Sequence, residues 1–515
     1  MNMKKIILTV LGLALFTTLS SCIDDLDTAP KVELTLEQLL ENDPNAVEGI
    51  LSRLYASFAL SGPSGPGSSD ISDDPGESPF LRGIVNLQDF TADGMKNRWG
   101  DDGLDQLTTT SEWTSNNKFF RYLYNRAYYT IPQCNNLLNV LSSASTDAGE
   151  SVVSEVRFLR ALAYFYVIDV FGKGVLATDE NFGQSGLLPE SSREELFNYV
   201  ESELLEIEPL IGTFNGYGRA NTYVVDMLLA KLYLNAEVYT GTPRYDQAYI
   251  YVNKVITEGG YTLTDNFVEN FSGDNDMSTE IIYPLIADPI VSQSFGNTTY
   301  IVNGSLSPDT ITISEFGATE GWQGHRATKA WYGLFGDLDT STDDRADLFW
   351  TEGHNYEMND YTVWTDGYPS TKFRNTTFNS EYTPTSFSGT DFPLYRLADA
   401  YLMYAECALR GAAGASMTDA LNYVNLVRTR SNATAISMGE LNLDFIIDER
   451  GRELNLEGHR RTDLIRFGKF TGGSYLWPWK GGTVNGTSIP DTYKVFPIPQ
   501  TALEANPNLQ QNTGY

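Results

Sequence analysis

The sequence predicts a mainly α-helical protein with a large, loop-rich block inserted between two helical regions. Apolar residues recur at spacings of three and four in the segments 118–141, 151–172 and 220–241, which is typical of helices with one buried face. Residues 261–395 break this rhythm, because they are rich in Gly, Asn, Asp, Thr and aromatic residues. The helical pattern returns in residues 396–515, so we predict helical regions on both sides of an irregular block.

A repeat of small residues indicates how the helices pair. Ala236 and Ala248 lie 12 residues apart on consecutive helical segments, and Ala408 and Ala420 repeat the same separation. In tetratricopeptide (TPR) hairpins, a small residue on the first helix meets an alanine on the second at about this separation, and the two helices pack closely. We therefore predict a TPR-type scaffold, with generic helical hairpins as the alternative on periodicity alone.

The N-terminus has the features of a bacterial lipoprotein signal. Lys4 and Lys5 precede a short apolar run that ends in the sequence "LSSC", which resembles a lipobox whose cysteine, Cys22, becomes the lipidated first residue. The alternative is a plain signal peptide with a chance cysteine. We divide the chain into a signal peptide at 1–21 and a lipidated tether at 22–35, followed by three structural regions. These are a helical region at 36–260, a loop-rich region at 261–395 and C-terminal helices at 396–515.

Composition excludes several classes of function. The chain carries 35 basic and 67 acidic residues, a formal net charge of -32, which disfavours binding to the phosphate backbone of nucleic acids. Beyond Cys22, only Cys134 and Cys407 remain, and the sequence leaves open whether they are free thiols or one disulfide. No cysteine pair or cysteine–histidine cluster suggests zinc.

Catalytic and cofactor motifs are also missing from the sequence. It contains no GxSxG, GxxxxGK[ST] or GxGxxG pattern, and its three histidines are scattered. Two carboxylates suffice for glycoside hydrolysis, but among 67 acidic residues such a pair carries no information. The stretch "GDNDMSTE" offers Asp274, Asp276 and Glu280 as weak candidate calcium ligands, although its spacing differs from an EF-hand and a solvated turn is the favoured interpretation. We predict no other cofactor.

Several long motifs resemble one protein family. The stretches "EVRFLRALAYFYVIDVFG", "DFPLYRLADAYLMYAECALRG", "DERGRELNLEGHRRTDLIRFGKF" and "FPIPQTALEANPNLQQNTGY" are similar to the RagB/SusD family, and the likeness runs from Cys22 to Tyr515. The resemblance implies a lipid-anchored, outer-membrane glycan-binding protein of Bacteroidetes, built on TPR helices and partnered with a SusC-like TonB-dependent transporter. It also implies that the acidic residues after Cys22 form a surface-export signal.

Within that family the chain resembles the starch-binding type, whose site is an arc of aromatic residues flanked by polar side chains. The resemblance implies that Trp322 of "TEGW" and Phe295 of "SFGNTTY" belong to the arc, where Phe295 replaces a tyrosine of that type. Asp74 and Arg82 flank "GESPFL" as its polar partners. If the alignment is shifted by one residue, Trp99 also belongs to the arc, and Asp102 then replaces an asparagine.

Each of these site residues also has a structural alternative. For Trp322 and Phe295 the alternative is a place in the core, and for Asp74 and Arg82 it is a solvated loop. In the motif "GHRRTD" we expect Arg460, Arg461 and Asp463 to form a structural ion network rather than a phosphate site.

The favoured function is a non-catalytic protein that captures starch or maltooligosaccharide-type α-glucans and delivers them to the transporter. A neutral glycan has apolar C–H faces that suit aromatic rings and hydroxyls that suit charged side chains. The alternatives are a binder of a different neutral glycan, a glycoside hydrolase, and a purely structural TPR adaptor.

Overall fold

A computed structural model describes residues 35–43, 45–100, 103–143, 149–378 and 381–515. The predicted signal peptide, Cys22 and Asp102 lie outside the described residues. The α-helices are Leu36–Asn42, Ala46–Ala59, Phe80–Ile84, Leu104–Thr108, Lys118–Ser143, Glu150–Tyr166, Arg193–Ile207, Thr222–Leu234, Ala236–Thr240, Tyr245–Glu258, Thr298–Gly304, Lys329–Tyr332, Leu397–Leu409, Met417–Arg430, Leu443–Leu454, Arg460–Arg466 and Gln500–Ala505.

Shorter elements fill the space between these helices. The π-helical turns are Val85–Phe90 and Val167–Phe171. The 3₁₀ turns are Phe267–Phe271, Asn275–Met277, Ile313–Phe316, Gly333–Phe335, Asp344–Leu348, Lys480–Gly482 and Asp491–Lys494. The strands form antiparallel pairs: Met95–Asn97 with His325–Ala327, Gly174–Val175 with Glu190–Ser191, and Ile281–Leu285 with Phe392–Arg396.

The long helices pack as consecutive antiparallel pairs, as their periodicity predicts. Lys118–Ser143 packs on Glu150–Tyr166, Thr222–Leu234 on Tyr245–Glu258, and Leu397–Leu409 on Met417–Arg430. The four alanines of the small-residue repeat are all buried. Ala236, however, starts a separate short helix, because Asn235 leaves helical geometry at φ -96° and ψ 4°.

The helical region that the sequence predicts from residue 36 begins with two helices, Leu36–Asn42 and Ala46–Ala59. Asp43 adopts an extended backbone, with φ -125° and ψ 112°, immediately before the proline at position 44. A proline disfavours helical geometry in the residue before it, so the break follows from the local sequence.

The loop-rich block begins and ends at one strand pair. Ile281 lies opposite Arg396, and Leu285 lies opposite Phe392. Much of the chain between these strands forms short turns, as the composition predicts. A continuous hydrophobic core nevertheless extends from Leu51 to Ile498 and includes residues of this block. The block therefore packs on the helices, and the region boundaries at 260 and 395 remain predictions.

A buried charge cluster joins the loop-rich block to the C-terminal helices. We define this charge cluster as Arg345, Arg396, Arg430, Glu280, Glu449 and Glu453. Arg345 bonds Glu449 at 2.8 Å and Glu453 at 2.7 Å, and Glu453 also bonds Arg396 at 2.7 Å. The "DERGRELNLEGHRR" motif thus supplies buried partners for arginines that lie far away in sequence.

The "GHRRTD" residues extend this internal pairing, as expected for two of the three. Arg460 bonds Asp93 at 2.7 Å, and Asp463 bonds Arg450 and Arg466, each at 2.7 Å. Arg461 differs, because its guanidinium lies 4.2 Å from the ring centre of Phe496 rather than in an ion pair of that network.

Cys134 and Cys407 are both free and buried, which answers the question that the sequence left open. Burial raises the pKa of the Cys134 thiol to about 12, so this side chain packs as a neutral, apolar group.

In the part of the chain that the structure describes, no helix combines the length and apolar character that crossing a bilayer requires.

Candidate functional site

The Gly- and Pro-rich loop at 61–79 meets the segment before the Thr298–Gly304 helix. The backbone N–H of Arg82 donates to the Gly296 carbonyl at 3.0 Å, which fixes the end of the loop on this segment. Gly76 lies between two candidate residues: a Cβ added there would lie 3.7 Å from Cβ of Phe295 and 3.8 Å from Oδ1 of Asp74. Asp74 and Phe295 are therefore neighbours, although more than 200 residues separate them in sequence.

The two candidate tryptophans lie at one end of a short strand pair. Met95–Asn97 pairs with His325–Ala327, and Arg98 N–H extends the ladder by donating to the Gly324 carbonyl at 2.9 Å. Trp99 then packs on Gly324, where an added Cβ would lie only 2.7 Å from Cζ2 of the indole. Trp322 lies two residues before Gly324 and therefore borders the same place.

Two hydrogen bonds hold Trp322. Its backbone N–H donates to the Asn303 carbonyl at 2.7 Å, and its indole Nε1–H donates to the Glu320 carboxylate at 3.1 Å. The next residue, Gln323, has a positive φ of 52°, which is uncommon for a residue other than glycine. Backbone strain of this kind tends to occur at functional sites, and here it lies between the two tryptophans.

Tyr300 connects the two halves of the site. The Arg82 guanidinium lies 4.4 Å from the centre of the Tyr300 ring, and the Trp99 ring centre lies 6.1 Å from it. The Tyr300 hydroxyl donates to Asn86 at 2.8 Å, so the ring is fixed from below. The structure thus brings together five of the sequence-predicted residues, Asp74, Arg82, Trp99, Phe295 and Trp322, while Asp102 lies outside the described residues.

These five residues differ in exposure. Phe295 is 39% exposed and contacts Phe387, with 4.9 Å between ring centres, while Trp99 and Trp322 are half-buried. We call Trp99, Phe295 and Trp322 the aromatic face. Neither Trp322 nor Phe295 is a fully buried core residue, which was the structural alternative for both.

Arg82 is the most buried of the five, at 7% exposed, and much of its hydrogen-bonding capacity is used inside the protein. It donates to the Gly76 carbonyl at 3.1 Å and to the Glu77 carboxylate at 3.2 Å. Glu77 also pairs with Lys118 at 2.5 Å. Burial raises the pKa of Glu77, and the charge of Arg82 opposes that rise. The Arg82 guanidinium therefore stabilises the loop at 61–79 through contacts within the protein.

Two further residues, Tyr300 and His325, are fully buried beneath Trp99 and are not among the candidates that the sequence predicts. His325 lies 4.5 Å from Tyr300 and 5.7 Å from Trp99, measured between ring centres. Burial, together with the charges of Arg82 and Arg326, lowers the pKa of His325 well below its usual value, so the imidazole is neutral. Tyr300 lies within the stretch "GNTTYIVNG", shortly after Phe295 in sequence, so its position could have been suspected. Nothing in the sequence around His325 indicates its role.

The calcium hypothesis is wrong for Glu280. This residue is fully buried in the charge cluster, where it bonds Arg396 at 2.8 Å and Arg430 at 2.9 Å. Burial alone would raise the pKa of Glu280, but these two arginines lower it below the usual value. Asp274 accepts a hydrogen bond from the Phe378 backbone at 2.6 Å. Among the described residues, no cluster of histidine, cysteine or acidic side chains is arranged to hold a metal ion.

A cavity of about 860 Å³ lies elsewhere, between the helices Glu150–Tyr166 and Arg193–Ile207. Its two arginines, Arg157 and Arg160, are paired with Glu203 at 2.8 Å and 2.6 Å. Because these charges are already neutralised, we place the functional site on the aromatic face instead.

Comparisons with known proteins find relatives of one family. The model of the SusD family matches residues 259–515. The chain is 33% identical to the starch-binding protein SusD of Bacteroides thetaiotaomicron, over 99% of each chain. It is 24% identical to the SusD-like protein P25 of Formosa agariphila, over 72% of this chain and 74% of that protein.

Solved structures share the fold. Surface glycan-binding protein A of Bacteroides thetaiotaomicron, in complex with laminarihexaose, superposes with a TM-score of 0.69 at 22% identity, covering 90% of this chain and 98% of that one. A SusD superfamily protein of Parabacteroides distasonis gives a TM-score of 0.72 at 20% identity, covering 94% of this chain and 100% of that one. The mainly helical architecture expected from the sequence is therefore confirmed.

Proposed function

Because this chain belongs to the SusD family, we propose that it is a non-catalytic protein that binds starch-type α-glucan oligosaccharides on its aromatic face. The observation that carries this proposal is the placement of three incompletely buried aromatic side chains around the Thr298–Gly304 helix: Trp99 beside Tyr300, Trp322 bonded to the Asn303 carbonyl, and Phe295 just before the helix and near Asp74. Such an arrangement suits a neutral sugar chain.

The chemistry of the site supports binding rather than catalysis. Aromatic rings pack against the apolar C–H faces of a sugar, while carboxylate and amide groups at the rim exchange hydrogen bonds with its hydroxyls. Asp74 and Glu320 provide acceptors near the aromatic face, although Glu320 also holds the Trp322 indole. All three described histidines have lowered pKa values, each with burial as the main cause, which favours the neutral form of each imidazole.

The preference for α-glucans is supported by the 33% identity to a starch-binding protein over nearly the whole chain. A second candidate is a β-glucan, since a relative of the same fold is described in complex with laminarihexaose. Phe295 and Asp102 differ from the residues that the starch-binding resemblance implies, and these are positions where the two ligands would be distinguished.

Calorimetric titration with maltoheptaose and laminarihexaose tests the proposal. We expect the protein to bind maltoheptaose more tightly than laminarihexaose. After prolonged incubation of the protein with either oligosaccharide, chromatography should detect no shorter oligosaccharide. Release of shorter products would favour a glycosidase. Absence of binding to both oligosaccharides, with the protein folded, would favour the structural adaptor.

We further propose that Cys22 carries a lipid anchor, that the protein lies at the outer face of the outer membrane, and that it delivers glycans to a TonB-dependent transporter. Cys22→Ser should move the protein from the membrane to the soluble fraction, whereas Ser21→Ala, beside it, should not. The fractionation belongs in cells that lack the transporter, so that docking cannot substitute for the lipid. A Cys22→Ser protein that stays with these membranes contradicts the anchor.

Docking to the transporter should be separable from glycan binding. The double variant Asp74→Ala with Trp322→Ala should lose glycan binding and still co-purify with the transporter from membranes. Loss of co-purification by the folded variant would show that one surface serves both tasks.

A further inference from the structure

A buried aromatic layer lies directly beneath Trp99. Tyr300 and His325 are fully buried, with 4.5 Å between their ring centres, and both lie within 6.1 Å of the Trp99 ring centre. Phe90, also fully buried, supports His325 from below at 4.9 Å. One side of the Trp99 indole thus rests on the protein, while the residue as a whole is only half-buried.

Two glycines make this close packing feasible. A Cβ at Gly324 would lie 2.7 Å from Cζ2 of Trp99, and a Cβ at Gly304 would overlap the imidazole of His325. Real Cβ atoms essentially never approach other heavy atoms so closely, so each ring occupies space that any side chain would remove. Gly304 and Gly324 therefore leave the space that the rings of His325 and Trp99 occupy.

The layer also remains uncharged. Burial and the neighbouring guanidinium groups of Arg82 and Arg326 keep His325 in its neutral form, and a neutral ring can pack in a dry interior without a counter-ion. Tyr300 is held by the Arg82 guanidinium on its face and by its hydrogen bond to Asn86. The support under Trp99 is thus itself fixed by packing and hydrogen bonds.

From this geometry we propose that Tyr300, His325, Gly304 and Gly324 are positioning residues that hold the Trp99 indole in its glycan-binding orientation before the ligand arrives. Ordering a side chain during association costs affinity, and a side chain that is already fixed avoids that cost. Gly324 is the member in direct contact with Trp99. This inference rests on the proposed function, because it assigns these residues to the same site.

The variant Gly324→Ala tests the proposal most directly. The added methyl group must displace the indole, and we expect maltoheptaose affinity to fall roughly three- to tenfold, the range for one side chain that must be reordered on binding. Gly100→Ala is the matched control, because it places the same methyl group one residue from Trp99 in open space. The control should bind like the wild type.

A double-mutant cycle separates positioning from general damage. In a Trp99→Ala background, Gly324→Ala should cause no further loss, since the ring that it displaces is absent. In a Trp322→Ala background, the loss should be the same as in the wild type. An equal loss in the wild-type and Trp99→Ala backgrounds, or no loss in either, would overturn the proposal.

A second variant pair keeps the test independent of Gly324. Tyr300→Phe keeps the ring beneath Trp99 and loses only the hydrogen bond to Asn86, so it should lose less affinity than Tyr300→Leu. The loss caused by Tyr300→Leu should disappear in the Trp99→Ala background. Equal affinity of the two Tyr300 variants would contradict the supporting role of the ring.

Tryptophan fluorescence distinguishes failure of this inference from failure of the proposed function. Subtracting the spectrum of a Trp99→Phe variant isolates Trp99, and acrylamide should quench that signal more strongly in Gly324→Ala than in Gly100→Ala. This measurement needs no glycan. If the wild type binds neither oligosaccharide, the proposed function fails; if quenching is unchanged by Gly324→Ala, the positioning role fails.

Discussion

The charge cluster and the aromatic face use their side chains in opposite ways. In the charge cluster, arginines and glutamates from residues 280 to 453 satisfy one another inside the protein, and none is left for a ligand. On the aromatic face, Trp99, Phe295 and Trp322 are incompletely buried; Trp99 packs on Gly324, and Phe295 contacts Phe387. The long charged motifs therefore serve the structure of this protein, whereas the proposed binding residues are single aromatic side chains from distant parts of the chain.

The largest expected effect comes from breaking the charge cluster at Glu453. Its carboxylate bonds Arg345 and Arg396 at 2.7 Å each, as well as Arg430. Glu453→Gln removes one of the buried negative charges that the three arginines share, so the free energy of unfolding in a denaturant titration should fall by about 3–5 kcal/mol. Glu352→Gln, at an exposed site, should change it little. A loss below about 1 kcal/mol, the upper range of a surface ion pair, would mean that the cluster behaves like surface charge.

The second prediction concerns Asp89, which lies between the two regions. Its carboxylate accepts a hydrogen bond from Gly458, in the charged motif, at 3.1 Å, and it precedes Phe90 under the aromatic layer. Burial raises the pKa of Asp89 to about 8, despite that hydrogen bond. The unfolded chain loses this proton near pH 4. Between these values the folded state binds the extra proton, so the contribution of Asp89 to stability falls as pH rises.

Asp89→Asn removes this pH dependence. Relative to the wild type, the variant should gain about 1.4 kcal/mol of stability per pH unit between pH 5 and pH 7, as measured by denaturant titration at several pH values. For the control Asp265→Asn, at an exposed site, the free energy of unfolding should depend on pH in the same way as that of the wild type. A constant difference between Asp89→Asn and the wild type across this range would show that Asp89 is ionised in the folded state.

The third prediction tests the aromatic face itself. Trp322→Ala removes one stacking surface, and stacking on an aromatic side chain is worth roughly 1–3 kcal/mol when the partner is a nucleic acid base. A sugar should lie at the lower end, so we expect about a tenfold loss in maltoheptaose affinity by calorimetry, or about 1.4 kcal/mol. Trp99→Ala should behave similarly.

Phe214→Ala is the control for these variants, since Phe214 is 78% exposed and comes from the loop at 211–221. It should leave affinity unchanged. Wild-type affinity in Trp322→Ala with an unchanged melting temperature would falsify the placement of the glycan on this face.

The smallest effect is expected for Phe295→Tyr. Phe295 is 39% exposed and its ring contacts Phe387, so a hydroxyl at its edge can reach water or a sugar without new burial. Maltoheptaose affinity should stay the same or rise slightly, by less than about 0.5 kcal/mol, the usual range for a surface substitution. A clear loss of affinity would indicate that the apolar edge of Phe295 itself contacts the glycan.

Much of the fold could be predicted from the sequence, because helical periodicity is a local property. The paired helices from Lys118 to Tyr166 and from Leu397 to Arg430 follow the apolar spacing closely. The break before residue 46 shows the limit, since a proline at position 44 interrupts an otherwise regular apolar pattern. The positions of the site candidates came from resemblance to a family, and periodicity alone would not have found them.

The sequence by itself determined the helical scaffold, the irregular block, and the long motifs that place this chain in its family. Only the tertiary structure decided that Glu280 is held by arginines, that Arg82 is turned inward, and that Tyr300 and His325 support Trp99. The physical reason is the range of the interactions. Apolar spacing acts between residues three or four positions apart, whereas the burial of a charge or the support of a ring depends on partners that the chain brings together from hundreds of residues away.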